Sequence, residues 1–587
     1  MGKNRIDRRS LLLLGMAAGL GGCSWAAPRP PLPPVPPPGG LVAFDIHCHV
    51  FNAADLPIRG FLDDIYISAS PGLLRYSEEG LVAFVSTIMK GQAIAAEQEA
   101  AEINGTAVRL LATDRFSRDY SRTTNAELLR QSVSAAAAEL QNDVDVLQRG
   151  GTVRSPFAIQ DVARQVRGRQ QILRDLAAET RNPMNAFVEG RAPSAAAVAD
   201  GAVNAFLSGS GPQALVGVLW MATLLTRRRR ELVERLFDLP ETNGTDVRIL
   251  APAIIDYSYW LDDFNSSPLQ DQIDVMSAIA AHPPSGRAVH SWVSFCPWRQ
   301  LRESAQAGLV KTAILERGML GVKLYPVMGF YPIGNEQAQA RGERYPCNLE
   351  SIPNFGKRMD DALRDIYQFC VDNDVPLLAH CSDSEYPYLF DCAQRPLAPK
   401  DALGLRGAPT IWAQVLQDYP RLRLNIGHAG GLWDLSAHPD PNRPIPSRPW
   451  TPEVIQLISS APSAYADIAD YSSVYDRDQT DDLHILGVVN QSLNAYPGAR
   501  DKLMYGTDWV MLSMALHAER YYPEMRRLLP SQLGLNAAQT SGFFGGNAAR
   551  MTGISIKSGV KPQTRQRLEA FYDRHGLDKA VLARFDN

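Results

Sequence analysis

Leu41-Val42-Ala43-Phe44-Asp45-Ile46-His47-Cys48-His49 is a short apolar run that ends on two histidines separated by one residue. Residues two apart on a strand point to the same face, so both imidazoles can reach one metal ion. Alone the pattern is ambiguous, because histidines also stand at strand ends as hydrogen-bonding residues. Three later runs change that. Val375-Pro376-Leu377-Leu378-Ala379-His380 ends on a histidine. Leu424-Asn425-Ile426-Gly427-His428-Ala429-Gly430-Gly431 ends on another, followed by glycines that let backbone approach a site closely. Leu503-Met504-Tyr505-Gly506-Thr507-Asp508-Trp509 ends on a carboxylate. An ionisable group closing an apolar strand is costly unless it is paired or coordinated. The chain holds 10 histidines in all, and four of them fall at these strand ends.

The same runs set the fold. Apolar, strand-like segments recur at 247–255, 289–295, 321–325, 375–380, 422–428, 464–468 and 503–508. Segments with helical spacing lie between them, among them 270–281, 359–373 and 410–417. Strand and helix alternate, which predicts a parallel sheet of βα units. Counting the first run there are eight strands, so the expected fold is α/β, a TIM-like (β/α)8 barrel over 41–50 and 247–555. The second strand is placed at 247 and not at Asn104-Gly105-Thr106-Ala107-Val108-Arg109, which echoes Asn243-Gly244-Thr245-Asp246-Val247-Arg248. The insertion between the first two strands, 51–246, reads as mainly helical, with helical runs over 126–148, 159–179 and 195–207. Barrel active sites lie at the carboxyl ends of the strands, so an insertion leaving strand one there is expected to cap the site. Residues 556–587 read as a C-terminal helical tail.

At 587 residues, with 45% hydrophobic and 21% charged content, the chain can bury a large core. Its net charge of -4 gives no electrostatic basis for binding nucleic acid. Residues 1–22 read as an export signal: Arg8-Arg9-Ser10 precedes an apolar run that ends Leu20-Gly21-Gly22-Cys23, which resembles a bacterial lipobox. Lipidation of Cys23 would anchor the protein to a membrane on the periplasmic side or at the cell surface, with the Pro-rich 23–40 as a semi-rigid tether. The apolar run 214–225 is about 12 residues, which suits a buried helix better than a span. Six cysteines remain after Cys23, none in a CxxC pair, so a structural zinc site is not expected.

Together, DxHxH at Asp45 to His49, the histidine at 380, HAGG from His428, GTDW from Gly506 and the closing Gly545-Gly546-Asn547-Ala548-Ala549-Arg550 resemble the amidohydrolase-related branch (amidohydrolase family 2) of the amidohydrolase superfamily. The resemblance covers strand one and 247–551. It implies that His47, His49 and His380 are metal ligands, that Asp508 is a ligand or a base, and that His428 is a proton shuttle or electrophile facing a small-molecule substrate. One divalent metal, with zinc the expected ion, would acidify a bound water to a pKa of about 7. Lys323 sits on the fourth strand, where binuclear relatives carry a carboxylated lysine. Two metals would follow if it is carboxylated, but the surrounding phrase Gly321-Val322-Lys323-Leu324-Tyr325-Pro326 favours one, with Lys323 meeting substrate charge or serving structure. Arg299, Tyr325, Trp509 and Asp383 are further pocket candidates. The expected reaction is hydrolysis of an amide, ester or lactone. The alternative is non-oxidative decarboxylation or hydration of a carboxylic acid in the same site, with Arg299 or Lys323 against its carboxylate. A surface-anchored barrel without catalysis is a third reading, disfavoured by the intact ligand set. Neither a GxSxG elbow nor a P-loop is present.

Overall fold

The computed structural model describes residues 41–57, 93–105, 224–239, 247–261, 265–284, 286–345, 349, 351–382, 406–435, 449–471, 479–509, 512, 518–556 and 559–586. Its strands are β1 (Ala43–Cys48), β2 (Val247–Pro252), β3 (Ala288–Val289), β4 (Trp292–Ser294), β5 (Gly321–Leu324), β6 (Leu377–His380), β7 (Leu424–Gly427), β8 (Ala464–Ile468) and β9 (Leu503–Tyr505). They form two parallel arcs, β1-β2-β3 and β4 through β9 in sequence order. A bridge between Ala253 and Trp292 joins the arcs. On the other side, the Thr507 and Asp508 N–H groups donate to the His47 carbonyl at 3.0 and 2.8 Å, and His49 N–H donates to Trp509 O. Backbone hydrogen bonds thus lead from the end of β9 back to β1. The order is that of a TIM-like (β/α)8 fold with its insertion after the first strand.

The helices follow the expected alternation. Phe355–Asp372, between β5 and β6, buries Met359, Leu363, Ile366, Tyr367 and Cys370, the one-face spacing of an amphipathic helix. It stops at Asn373, before Asp374 takes a left-handed φ of 52°. The third expected strand is not continuous: it breaks at His290-Ser291 into β3 and β4. There the buried His290 ring donates from Nδ1 to Gly318 O at 2.8 Å and meets the Tyr572 hydroxyl at 3.0 Å. Those bonds tie the break to the C-terminal helix Gln563–His575.

Phe44 and Ile46 of β1 pack with Trp292, Leu378 and Met504. Trp292 donates its indole N–H to Ile46 O at 2.9 Å. Phe571 and Phe585 of the C-terminal segment join this cluster, the Phe585 ring 5.9 Å from that of Phe44. Each such buried side chain contributes roughly 1.5–3 kcal/mol.

Two described stretches of the insertion are helical. Ala96–Gly105 lies on the ring helix Leu269–Ala281, and Arg229–Asp238 lies against β2. Buried Arg229 ties them to the segment after β1: Nε donates to Asp55 Oδ2 at 2.7 Å, Nη1 to Glu99 Oε2 at 2.9 Å and Nη2 to Asn52 Oδ1 at 3.0 Å. The helical runs expected over 126–148, 159–179 and 195–207 lie outside the described residues, as do residues 1–40 with Cys23, residues 214–223 and Asp383. Among the described residues no helix is long and apolar enough to cross a membrane. Cys48, Cys296, Cys370 and Cys381 are buried free thiols.

Candidate metal centre

A bulge in β1 decides which side chains enter the site. Asp45 is paired with Leu250 and Cys48 with Pro252, three steps on one strand against two on the other. An extra residue of this kind re-aims the side chains that follow it. Asp45 therefore leaves the face that simple alternation assigns it. Its carboxylate accepts from Thr507 N at 3.1 Å and Thr507 Oγ at 2.6 Å, and it lines a small cavity with Leu236, Tyr505 and Tyr521. Burial pushes this carboxyl up to about 7, against the opposing effect of the Thr507 bonds. His47 and His49 point the other way, toward Asp508.

His47, His49 and Asp508 each offer one ligand atom, and these atoms lie within 4.8 Å of one another. Asp508 Oδ1 is 3.1 Å from His49 Nε2 and 3.6 Å from His47 Nε2. The far nitrogens fix the tautomers. His49 Nδ1 is 3.0 Å from Ala253 O, a carbonyl that can only accept, so Nδ1 carries the proton. His47 Nδ1 is 3.2 and 3.1 Å from the two Asp467 oxygens, so it too donates. Both Nε2 atoms consequently present lone pairs to the Asp508 side of the site. Burial, then the nearby Lys323 charge, holds His47 well below its ordinary pKa, so the ring stays neutral.

Close approach to His47 requires glycine at the end of β7 and just after β9. A Cβ at Gly427 would stand 3.0 Å from His47 Cε1, and one at Gly506 would stand 3.0 Å from His47 Cβ. The turns beyond the strands are also unusual. Of six described non-glycine residues with positive φ, four follow β7, β8 and β9: His428 (62°), Ala429 (47°), Asp470 (57°) and Asp508 (49°). Such conformations cost about 1–3 kcal/mol each and cluster where function demands a particular side-chain direction.

His380 stands beside the three converging groups and not among them. His428 Nδ1 is 3.3 Å from Ala469 O and therefore donates, which leaves Nε2 as an acceptor. That Nε2 is 3.2 Å from His380 Nδ1, which supplies the proton. His380 Nε2 then accepts from the Ser382 hydroxyl at 2.8 Å. The result is a directed chain from Ser382 through His380 and His428 to a backbone carbonyl. Burial lowers the pKa of both rings, each helped by neighbouring positive charge, which keeps the chain neutral.

Lys323 is fully buried, with Nζ 2.9 Å from His47 Nε2 and 4.6 Å from the centre of the Tyr325 ring. Burial brings its amine down to about 8. Tyr325 forms a wall of the site, its ring 6.4 Å from that of His49, 6.0 Å from His380 and 5.4 Å from Tyr257.

Two sequence candidates are placed differently from expectation. Arg299 was a candidate for holding a substrate carboxylate, but its guanidinium already holds one of the protein's own. Nε and Nη2 each donate to Asp256 at 2.7 Å and Nη1 donates to Glu303 at 2.8 Å. The Trp509 ring is fully buried core, with the Arg235 guanidinium of the insertion 6.0 Å above it. The contribution of Trp509 near the site is its backbone carbonyl, which takes the His49 N–H.

The sequence reading missed Asp467, the fully buried carboxylate on β8 that holds His47. The signal was available: Asp467 is a charged residue near the end of an apolar strand, the same feature that singled out Asp508.

The groups present fit a divalent cation. Asp508 Oδ1 is buried and accepts no hydrogen bond, while two imidazole lone pairs face it. Two nitrogens and a carboxylate oxygen are a donor set for zinc, with a position left for water or substrate. A family model described as amidohydrolase matches residues 309–554. Among solved structures, the chain is similar to an uncharacterised TIM-barrel protein from Bordetella bronchiseptica, at 16% identity over 52% of this chain and 78% of that one, with a TM-score of 0.30. It is also similar to an amidohydrolase from Burkholderia multivorans (13% identity, 52% and 83% covered, TM-score 0.31). A third is the 5-carboxyvanillate decarboxylase of Sphingomonas paucimobilis (12%, 52% and 79%, TM-score 0.28). No curated protein matches. From within the helix before β5 to just past the helix Asn547–Thr552 the chain matches the amidohydrolase model, and it is an amidohydrolase-like enzyme.

Proposed function

We propose that the protein is a metal-dependent hydrolase that cleaves an amide, ester or lactone bond of a small molecule. His47, His49 and Asp508 hold one divalent ion, Zn2+ by the softness and number of the donors. The observation that carries this reading is the buried Asp508 Oδ1, which lacks a hydrogen bond and faces two imidazole lone pairs. When bound, such an ion supplies Lewis acidity at the attacked carbonyl and lowers the pKa of the attacking water.

The chain's own residues supply the rest. Asp508, the carboxylate of the site, takes the proton from the attacking water. His428 and His380 share a hydrogen-bonded path along which a proton can reach the leaving group, with Ser382 at its outer end. Tyr325 and Tyr257 wall the site and exclude bulk water, which strengthens every charge interaction inside it. Lys323 is assigned to a single-metal site as an uncarboxylated amine, because its Nζ stands within hydrogen-bond reach of a ligand nitrogen.

Product analysis on a panel of esters, lactones, amides and aromatic carboxylic acids tests the reaction. Two fragments from an ester, lactone or amide support hydrolysis, while release of carbon dioxide from an acid without hydrolysis of the others overturns it. The occupied Arg299 weighs on the side of hydrolysis, since only Lys323 of the two expected cations is left for a carboxylate. We further propose that the mature chain begins at a lipidated Cys23 and works outside the cytoplasm on the Pro-rich tether. Labelling with a fatty-acid analogue in cells, lost in Cys23→Ala, tests the anchor.

A further inference from the structure

Asp467, on β8, receives four donors, one from β1, two from β7 and the turn after it, and one from the turn after its own strand. His47 Nδ1–H of β1 lies 3.1 Å from Oδ2 and 3.2 Å from Oδ1. Asn425 Nδ2 of β7 donates to Oδ2 at 2.7 Å. The backbone N–H groups of His428 and Ala469 donate to Oδ1 at 3.0 and 3.1 Å. The carboxylate is fully buried, so each of these bonds is protected from water. We propose that Asp467 is a positioning residue that sets both halves of the site at once. Through Nδ1 it orients the His47 ring and fixes the tautomer that leaves Nε2 free for a metal ion. Through the peptide N–H of His428 it holds the left-handed turn, φ 62° then 47°, that places the His428 ring.

The inference rests on the single-metal reading above and adds to it the group that organises the ligand. A carboxylate behind a ligating imidazole both aims the ring and raises its basicity, and losing one typically weakens metal binding about 10–100-fold. The second hold is what a simple outer partner lacks. Of the strained residues after β7, His428 is the one whose backbone N–H reaches a buried side-chain acceptor. A positive φ there persists only if the surroundings over-determine it. Asn425 adds a donor to Oδ2 while the two backbone N–H groups hold Oδ1, so both oxygens that face the His47 N–H are fixed in place.

The test uses the full chain, stripped of metal, and reads binding without turnover. Zn2+ affinity is measured by competition with a chromophoric chelator, and the Co2+-loaded protein is examined by visible absorption. Asp467→Asn is expected to weaken Zn2+ binding about 10–100-fold and to alter the Co2+ ligand-field bands. Asp360→Asn is the control: Asp360 is equally buried and also takes four donors, from Gly334 N, Asn335 N, Asn335 Nδ2 and Glu336 N, but touches no imidazole. It should lower thermal stability and leave metal affinity within about twofold, well under the outer-partner effect. Equal loss of affinity in the two variants reduces Asp467 to general structure and overturns the inference. If Asp467→Asn does not fold, Asn425→Ala decides, since it keeps the carboxylate and removes one hold. A loss of Zn2+ affinity beyond about twofold supports the proposal, and wild-type affinity overturns it. A wild-type chain that binds no metal overturns this inference together with the function beneath it. Metal binding that is intact in both wild type and Asp467→Asn overturns this inference alone.

Discussion

Asp508 Oδ1 stands 3.1 Å from His49 Nε2, and the proton of that imidazole is on the other side of the ring, bonded to the Ala253 carbonyl. A carboxylate oxygen and a nitrogen lone pair at that separation repel unless a proton or a metal cation lies with them. Asp508→Asn and His49→Ala should each cost more metal affinity than the roughly 10–100-fold typical of an outer partner. Chelator competition checks this, and an Asp508→Asn protein with undiminished affinity would remove Asp508 from the ligand set.

Lys323 touches the same nitrogen that His47 would give to a metal. On the single-metal account Lys323→Met keeps one ion per chain and binds it at least as tightly, because a competing donor to Nε2 is gone. Metal analysis of the variant reads this directly. A fall from two ions to one or none in Lys323→Met would instead place a carboxylated lysine between two metals.

Arg299 serves the fold. Its guanidinium completes a two-point pair with Asp256, itself buried, so Arg299→Ala strands a carboxylate and should destabilise the protein by roughly 3 kcal/mol. Urea denaturation measures the loss. Turnover below the unfolding transition should fall by less than about tenfold, the equivalent of 1.4 kcal/mol in barrier. A far larger drop, confined to substrates bearing a carboxylate, would restore Arg299 to the site.

Acid sensitivity has a source remote from the metal centre. Burial lowers His290 from 6.5 to about 4. The unfolded chain binds a proton at this ring below about pH 6.5 while the folded chain does not until about 4, so folding stability is present above that window and is lost as pH falls through it. The loss should reach roughly 2 kcal/mol by pH 5. Comparing urea midpoints at pH 7 and 5 in wild type and His290→Gln isolates this share, and equal pH slopes in the two proteins would refute it.

The strand ends were legible because they join two signals that rarely coincide, an apolar run and a terminal His or Asp. His47, His49 and Asp508 were found this way, and so was the order of elements around the barrel. What alternation cannot show is a bulge: it puts Asp45 on the face of His47, whereas the extra residue before Cys48 sends Asp45 to Thr507. Nor does spacing reveal which partner a charge will choose. Asp256 lies on the segment after β2 and Arg299 on the helix Pro297–Arg302 after β4, and the pair forms only once the barrel brings the two together. Asp467 was less legible than Asp508 because it stands one residue inside its strand, Ala464–Ile468, and so does not close the apolar run. The divided third strand was hidden for a related reason, since its break depends on Gly318 and Tyr572, one remote in the chain.

The central claim is a metal held by His47, His49 and Asp508, and metal content per chain tests it most directly. Mass spectrometry on wild type, His47→Ala and Asp508→Ala, each reconstituted with Zn2+ and desalted, should find about one ion in wild type and none in either variant. Retention of the ion in both variants, or a folded wild type that takes up none, would contradict the account.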